Sequence, residues 1–244
     1  MGETIEIEAA AGTAEAYLAG EAGRPGVLFY IDAIGLRPQI EDMAERIASW
    51  GYLVLSPNVF YRVGTAAELA PRADLREPGA REEFFASGVM DRVGGLTPEL
   101  SDPDADAWVA ALTERAGDGP IGVTGYCMGA RLAVRTAGRF PGTVGAVGGF
   151  HGGGLATEQL DSPHLLIPSS TAEYAFGHAD QDRSMPIDAV ERLETTLRET
   201  GRPFLNEVYA GAAHGYSMAD TSMYDEAAAE RHFNVLHGLL DRAL

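Results

Sequence analysis

The segment IGVTGYCMGARLAV, residues 121–134, decides the fold of this chain. Its first four residues have the apolar composition of a short buried strand, and the residues after Gly129 repeat apolar side chains at helical spacing. GYCMG at 125–129 joins them and has the G-x-nucleophile-x-G pattern of a strained strand-to-helix turn, with Cys127 at its centre. Such a turn presents its thiol at a helix N-terminus, which favours the thiolate. The alternative is a buried structural cysteine in an ordinary strand-to-helix turn.

Strand-like and helical patterns alternate on both sides of this segment. A hairpin is predicted at 5–7 and 14–18, followed by a strand, helix and strand at 27–31, 40–47 and 52–55. Helices are predicted at 81–90 and from Asp104, and after the turn come strands at 144–150, 172–176 and 204–209 with helices from Met128, Ile187 and Asp225. This order predicts an α/β fold, a doubly wound, mainly parallel sheet with helices on both faces. We expect one domain over residues 1–244.

The composition and charge of the sequence exclude several classes of function. The 18 basic residues against 36 acidic ones give a formal charge of −18, which disfavours nucleic acid and anionic membranes as partners. The sequence contains no lysine, so Schiff-base and P-loop chemistry are excluded. No signal peptide or apolar membrane segment is apparent, and we expect a cytoplasmic protein that is a monomer or a small homo-oligomer.

A cysteine nucleophile needs a base and a group that orients the base. His214 lies in the turn-rich segment AGAAHGYS directly after the last predicted strand and is the best-placed candidate for the base. The segment GHADQDRSMP after the preceding strand offers Asp180 and Asp182, and spacing does not choose between them. His151 begins HGGG, which resembles an oxyanion motif but follows the nucleophile in the chain, so we interpret it as pocket lining.

GYCMG, DRSMP and HGY together resemble the dienelactone hydrolase family of the α/β-hydrolase superfamily, which has a Cys-His-Asp triad. The resemblance implies that the orienting acid is Asp182, four residues before Pro186. It also implies a catalytic role for Asp32 in YIDAIG, where the family carries a glutamate that holds the resting thiol. The backbone amides of Ala33 and Met128 match the family's oxyanion hole.

The resemblance is less complete for substrate recognition. The family binds a substrate carboxylate with two arginines, and Arg81 with Phe85 fits the first of these sites. Met218 occupies the second site, so a charged clamp would be incomplete. The natural substrate is therefore expected to be less acidic or larger. The substrate-binding residues predicted in addition to Arg81 and Phe85 are Tyr126, His151, Tyr216 and Met218. Taken singly, Tyr126, Tyr216 and Met218 are more often core residues than pocket residues.

No metal or cofactor is expected. Asp102, Asp104 and Asp106 resemble the start of a calcium loop, but Ala107 and Thr113 stand where its glycine and bidentate glutamate are needed. The predicted function is hydrolysis of a small-molecule ester or lactone by a dienelactone hydrolase-like (carboxymethylenebutenolidase-like) carboxylic ester hydrolase. The alternatives are a non-catalytic ligand-binding member of the fold, and a cysteine peptidase or redox thiol protein.

Overall fold

The computed structural model describes residues 2–244, and these form two compact units. The first unit is the chain up to Asp118 together with Ala219–Ser222. The second consists of Gly119–Met218 and Met223–Leu244. The prediction of a single domain stays a prediction.

The first unit contains four strands in the order β1-β2-β4-β3. The bounds are β1 (Glu3–Ala9), β2 (Gly12–Ala19), β3 (Gly26–Tyr30) and β4 (Leu53–Pro57). The predicted hairpin is present as the antiparallel pair β1 and β2, and β2 pairs antiparallel with β4. β3 and β4 are parallel and are connected through α1 (Pro38–Ala48). Every residue of β3 and β4 is buried, which explains their continuous apolar sequences.

The helices between β4 and the end of this unit differ from the predictions. They are α2 (Ala66–Leu69), α3 (Ala80–Phe84), a π-helical turn (Phe85–Val89), α4 (Met90–Gly95) and α5 (Pro98–Thr113). The helix predicted at 81–90 is interrupted because Gly88 has a φ of 100°. The helix predicted from Asp104 begins at Pro98, since proline is well tolerated in the first helical turn.

The second unit contains four parallel strands in the order β5-β6-β7-β8. They are β5 (Ile121–Tyr126), β6 (Val144–Phe150), β7 (Glu173–Ala179) and β8 (Phe204–Tyr209). Its helices are α6 (Gly129–Arg139), α7 (Ile187–Glu199) and α8 (Glu226–Ala243), with a short 3-10 helix at Pro163–Ser169. The Asp225 side chain caps α8 by accepting a hydrogen bond from the Ala228 amide. Within residues 2–244, no helix is long and apolar enough to cross a membrane.

Candidate active site

Cys127 lies in a strained turn between β5 and α6. Its φ of 54° is left-handed, which is uncommon for a residue with a side chain. Gly125 is required on the strand side of the turn, because a Cβ atom there would come within 2.7 Å of the Ala130 amide nitrogen and closer still to the Gly129 carbonyl. The Cys127 amide donates a 3.1 Å hydrogen bond to the Phe150 carbonyl at the end of β6. This is the geometry that the GYCMG motif predicts.

His214 lies between Cys127 and an aspartate. Its Nε2 atom is 3.1 Å from the Cys127 sulfur, and its Nδ1 atom is 2.6 Å from Asp182 Oδ2. The Asp182 side chain is only 5% exposed, whereas 27% of the His214 side chain is exposed. The three side chains therefore form a continuous line of hydrogen bonds from a buried carboxylate to the sulfur.

The structure distinguishes the two candidate acids. Asp180 accepts a 2.9 Å hydrogen bond from the Gly211 amide and has no hydrogen bond to His214. Asp182 contacts His214 through one oxygen, and its other oxygen accepts hydrogen bonds from the Ser184 amide and hydroxyl at 2.8 and 2.7 Å. Ser184 thus holds Asp182 in place, which sequence spacing does not indicate.

The charges at this site are coupled. Burial by itself lowers the pKa of His214, but the negative charge of Cys127 and the hydrogen bonds with Asp182 and Cys127 raise the pKa to about 10. Burial opposes ionisation of Asp182 as well, yet the hydrogen bond and charge of His214 and the Ser184 donors hold the pKa of Asp182 below its usual range. The protonated form of His214 is therefore favoured by the groups on both sides of its ring.

Four residues predicted to contact substrate belong to the core instead. Each is at most 1% exposed: Tyr126, His151, Tyr216 and Met218. The Tyr216 hydroxyl donates to the Gly177 carbonyl, and the Tyr126 hydroxyl lies 3.2 Å from His232 Nε2. Because their side chains have no free surface, a substrate could reach them only if the core opened. Their role as direct substrate contacts is therefore corrected to packing in the core.

Asp32 is held by groups of the first unit. Its carboxylate accepts hydrogen bonds from Arg37 Nη1 at 2.7 Å and Nη2 at 3.2 Å, and from the Ile34 amide at 3.0 Å. Arg37 also donates to Asp220 through Nε at 2.6 Å. Sequence reasoning misses the buried Arg37, although its position in YIDAIGLR five residues after Asp32 is a usable signal. The role of Asp32 toward a thiol stays a prediction.

The two predicted oxyanion-hole residues lie in different units. Met128 immediately precedes α6, and no backbone carbonyl of a described residue accepts a hydrogen bond from its amide. Ala33 follows β3, and its carbonyl accepts a 2.7 Å hydrogen bond from Arg92. The Met128 amide is thus available to a developing negative charge at the N-terminus of a helix.

Arg81 stacks on Phe85, with its guanidinium carbon 4.6 Å from the ring centroid. A cavity of about 500 Å³ lies along the same helical segment and is lined by Phe84 and Arg92, among others, but not by Arg81 or Phe85. The stacked pair and this cavity therefore occupy different sides of the segment.

Asp104, the middle aspartate of the D-x-D-x-D run, is held by hydrogen bonds from two neighbouring side chains. It lies inside α5, where it accepts hydrogen bonds from Arg62 and from the Tyr61 hydroxyl. Between Gly2 and Leu244, no group of three or more histidine, cysteine, aspartate or glutamate side chains is arranged to hold a metal ion.

Known proteins share both the sequence and the fold of this chain. The model of the dienelactone hydrolase family matches residues 14–244. The chain belongs to the dienelactone hydrolase family. The resemblance found in three short motifs is thereby confirmed over most of the sequence. The chain is a hydrolase of the dienelactone hydrolase type.

The individual relatives are distant. An Escherichia coli protein named provisionally as a carboxymethylenebutenolidase is 26% identical over 211 residues, which are 84% of this chain and 72% of the relative. The protein usf of Aquifex pyrophilus is 26% identical over 242 residues, 96% of each chain.

Solved structures confirm the predicted fold class. A Klebsiella pneumoniae protein assigned provisionally as a dienelactone hydrolase has a TM-score of 0.76 at 21% identity, over 99% of this chain and 98% of that one. A dienelactone hydrolase-like promiscuous phosphotriesterase from metagenomic libraries has a TM-score of 0.76 at 18% identity, over 100% and 98% of the two chains. At these identities the likeness establishes the mainly parallel α/β-hydrolase fold and nothing finer.

Proposed function

We propose that this chain is a carboxylic ester hydrolase that cleaves small esters or lactones through an acyl-enzyme on Cys127. The observation that supports the proposal most strongly is the line of hydrogen bonds from Cys127 through His214 to Asp182, at 3.1 and 2.6 Å. A nucleophile, a histidine and a carboxylate contacting one another in this order form the arrangement of hydrolytic triads on several folds.

In the first half of the reaction, the Cys127 thiolate attacks the carbonyl carbon of the ester and a C–S bond forms. The carbonyl oxygen takes the negative charge, and the Met128 amide donates a hydrogen bond to it. Collapse of this intermediate breaks the C–O bond of the ester. His214 gives its Nε2 proton to the departing alkoxide, so that an alcohol leaves, or stays attached as the hydroxyl of an opened lactone.

In the second half, a thioester has replaced the charged sulfur. The charge that contributes to the raised pKa of His214 is thereby removed, and the neutral imidazole becomes able to act as a base. His214 takes a proton from water while the water oxygen attacks the thioester carbon. Breaking the C–S bond releases a carboxylic acid and regenerates the thiolate and imidazolium pair.

Arg81 is the proposed contact for an acidic group on the substrate. Its guanidinium carbon lies 4.6 Å from the centroid of the Phe85 ring, and no salt bridge is formed between Arg81 and another described residue. Met218 supplies no second charge, so we expect substrates with one acidic group or none to be preferred over dicarboxylates.

The alternatives make different predictions about the same thiol. A redox thiol protein usually resolves its sulfenic acid with a second cysteine, and this sequence has only Cys127. A non-catalytic ligand-binding protein does not require hydrogen bonds that connect Cys127, His214 and Asp182, and it would not hydrolyse an ester. A cysteine peptidase would cleave peptide bonds when peptides, esters and lactones are each tested as substrates.

Steady-state hydrolysis of 4-nitrophenyl acetate and of a small unsaturated lactone by wild type and Cys127→Ala tests the proposal. We expect turnover of at least one compound by wild type and a loss on the order of 10³-fold or more in the variant. Equal rates for the two proteins, or cleavage of a peptide panel alone, would contradict it.

A further inference from the structure

His151 directly follows β6, in an unusual backbone conformation. Its φ of 37° is positive, and its amide donates a 2.8 Å hydrogen bond to the Gly177 carbonyl of β7. The residue has no exposed surface. A non-glycine residue in a sparsely populated conformation is maintained only where its surroundings fix it, and such positions concentrate near functional sites.

The His151 side chain contacts the turn that carries His214 at three places. Its ring lies edge-to-face against the His214 ring, with centroids 5.4 Å apart, and against the Tyr216 ring at 4.9 Å. Its Nε2 atom is 2.7 Å from the Ser217 hydroxyl oxygen. Three contacts within four consecutive residues join one imidazole to the whole turn.

We infer that His151 is a positioning residue, which holds the His214 turn through Ser217 and keeps the His214 ring aligned with Cys127 and Asp182. The inference rests on the proposed function and extends it to a residue outside the triad. The contacts with Tyr216 and Ser217 resist displacement of the turn. The contact between the two imidazole rings resists rotation of the His214 side chain.

The second half of the reaction depends most on this support. In the thioester, the charge of Cys127 no longer attracts His214, so the ring is held by Asp182 on one side and by the His151 ring on another. A ring that rotates loses its hydrogen bond to Asp182, and the pKa of His214 then falls. Besides His214, Tyr126, at a centroid distance of 5.9 Å, and Tyr216 are titratable groups that face the His151 ring.

Two single variants remove the same hydrogen bond from opposite ends. His151→Phe keeps an aromatic ring and loses the bond to Ser217, and Ser217→Ala loses the bond but keeps the histidine. A matched control is Ser162→Ala, because the Ser162 hydroxyl makes an equally short 2.7 Å contact with His164 Nδ1 in the same unit and has no hydrogen bond to the triad.

We expect each of the two variants to lower the rate of thioester hydrolysis about tenfold, the typical effect of losing a buried hydrogen bond. The double variant should be little slower than either single one, since both remove one interaction. In a plot of the single-turnover deacylation rate against pH, the midpoint should move to lower pH in both variants. A purely structural loss would instead reduce the rate at every pH without moving the midpoint.

The measurement uses the full-length protein, with circular dichroism and the melting temperature recorded for every variant. Rates of His151→Phe and Ser217→Ala within twofold of wild type, or changes no larger than those of Ser162→Ala, would overturn the inference. If His151→Phe does not fold, the rate of Ser217→Ala alone decides whether the inference holds. Wild-type protein that forms no acyl adduct on Cys127 would instead refute the proposed function, so the two failures are distinguishable.

Discussion

His214 Nδ1 lies 2.6 Å from Asp182, whereas Asp180, two residues earlier in the same loop, hydrogen-bonds the Gly211 amide. The loop thus offers two carboxylates with the same chemistry and different contacts. Of the two, only Asp182 is placed to accept a hydrogen bond from His214 Nδ1.

Asp182→Asn should therefore lower kcat/KM for an ester on the order of 10³-fold, because the amide cannot stabilise the imidazolium. Asp180→Asn is the matched control and should stay within about threefold of wild type, since the asparagine oxygen can still accept the hydrogen bond from the Gly211 amide. Steady-state kinetics of both variants check this, and similar losses in the two would refute the choice of acid.

The titration of His214 should depend on Cys127. The pKa of His214 is raised to about 10, so the imidazole is protonated at pH 8 and loses its proton only near pH 10. Cys127→Ala removes the negative sulfur, so the pKa of His214 should decrease and the ring should be neutral over a wider pH range. Histidine side-chain NMR resonances followed from pH 5 to 11 measure both values. A higher or unchanged pKa in the variant would contradict the charge coupling.

Gly125→Ala should destabilise the turn that presents Cys127. The added methyl group would overlap the backbone of Gly129 and Ala130, and overpacking of this kind costs about 1–3 kcal/mol of unfolding free energy or more. Gly94→Ala is a suitable control, because nothing lies within 4 Å of the position that its Cβ would take and it sits in a helix, where alanine is favoured by about 1 kcal/mol. Urea unfolding measures the stability of both variants. Equal free energies of unfolding would show that a Cβ atom at position 125 is tolerated.

Arg81→Gln should change substrate preference without changing the chemistry. For an ester with one carboxylate, we expect kcat/KM to fall about tenfold, the usual value of one charge-assisted hydrogen bond, while a neutral ester is unaffected. Arg76→Gln, which removes an exposed arginine paired with Asp74, is the control. Equal losses for acidic and neutral esters would exclude a role for Arg81 in recognising the acidic group.

Much of this architecture can be predicted because it is encoded locally. The buried strand, the glycines and the helix around Cys127 are contiguous, and strand β6 is predicted with its observed bounds. His214 is identified because the last strand ends just before it. The choice of Asp182 comes from the family resemblance, and the contact that distinguishes it from Asp180 is visible only in three dimensions.

The remaining features depend on contacts between distant parts of the sequence. Arg37 reaches Asp220 across 183 residues, and the pair of His151 and Ser217 spans 66. The sequence allows both a pocket wall and core packing for the aromatic residues around the motif, and Tyr216 is buried with a hydrogen bond from its hydroxyl to a strand carbonyl. No periodicity distinguishes a core face from a pocket face, since both are apolar.

The most direct test of the central claim is mass spectrometry of the protein mixed with a slowly hydrolysed ester and quenched during turnover. The account predicts an acyl group on Cys127 of wild type, which Asp182→Asn accumulates to a higher level and Cys127→Ala lacks. An adduct located on another residue, or ester turnover with no adduct and with full activity in Cys127→Ala, would contradict the assignment of Cys127 as the nucleophile.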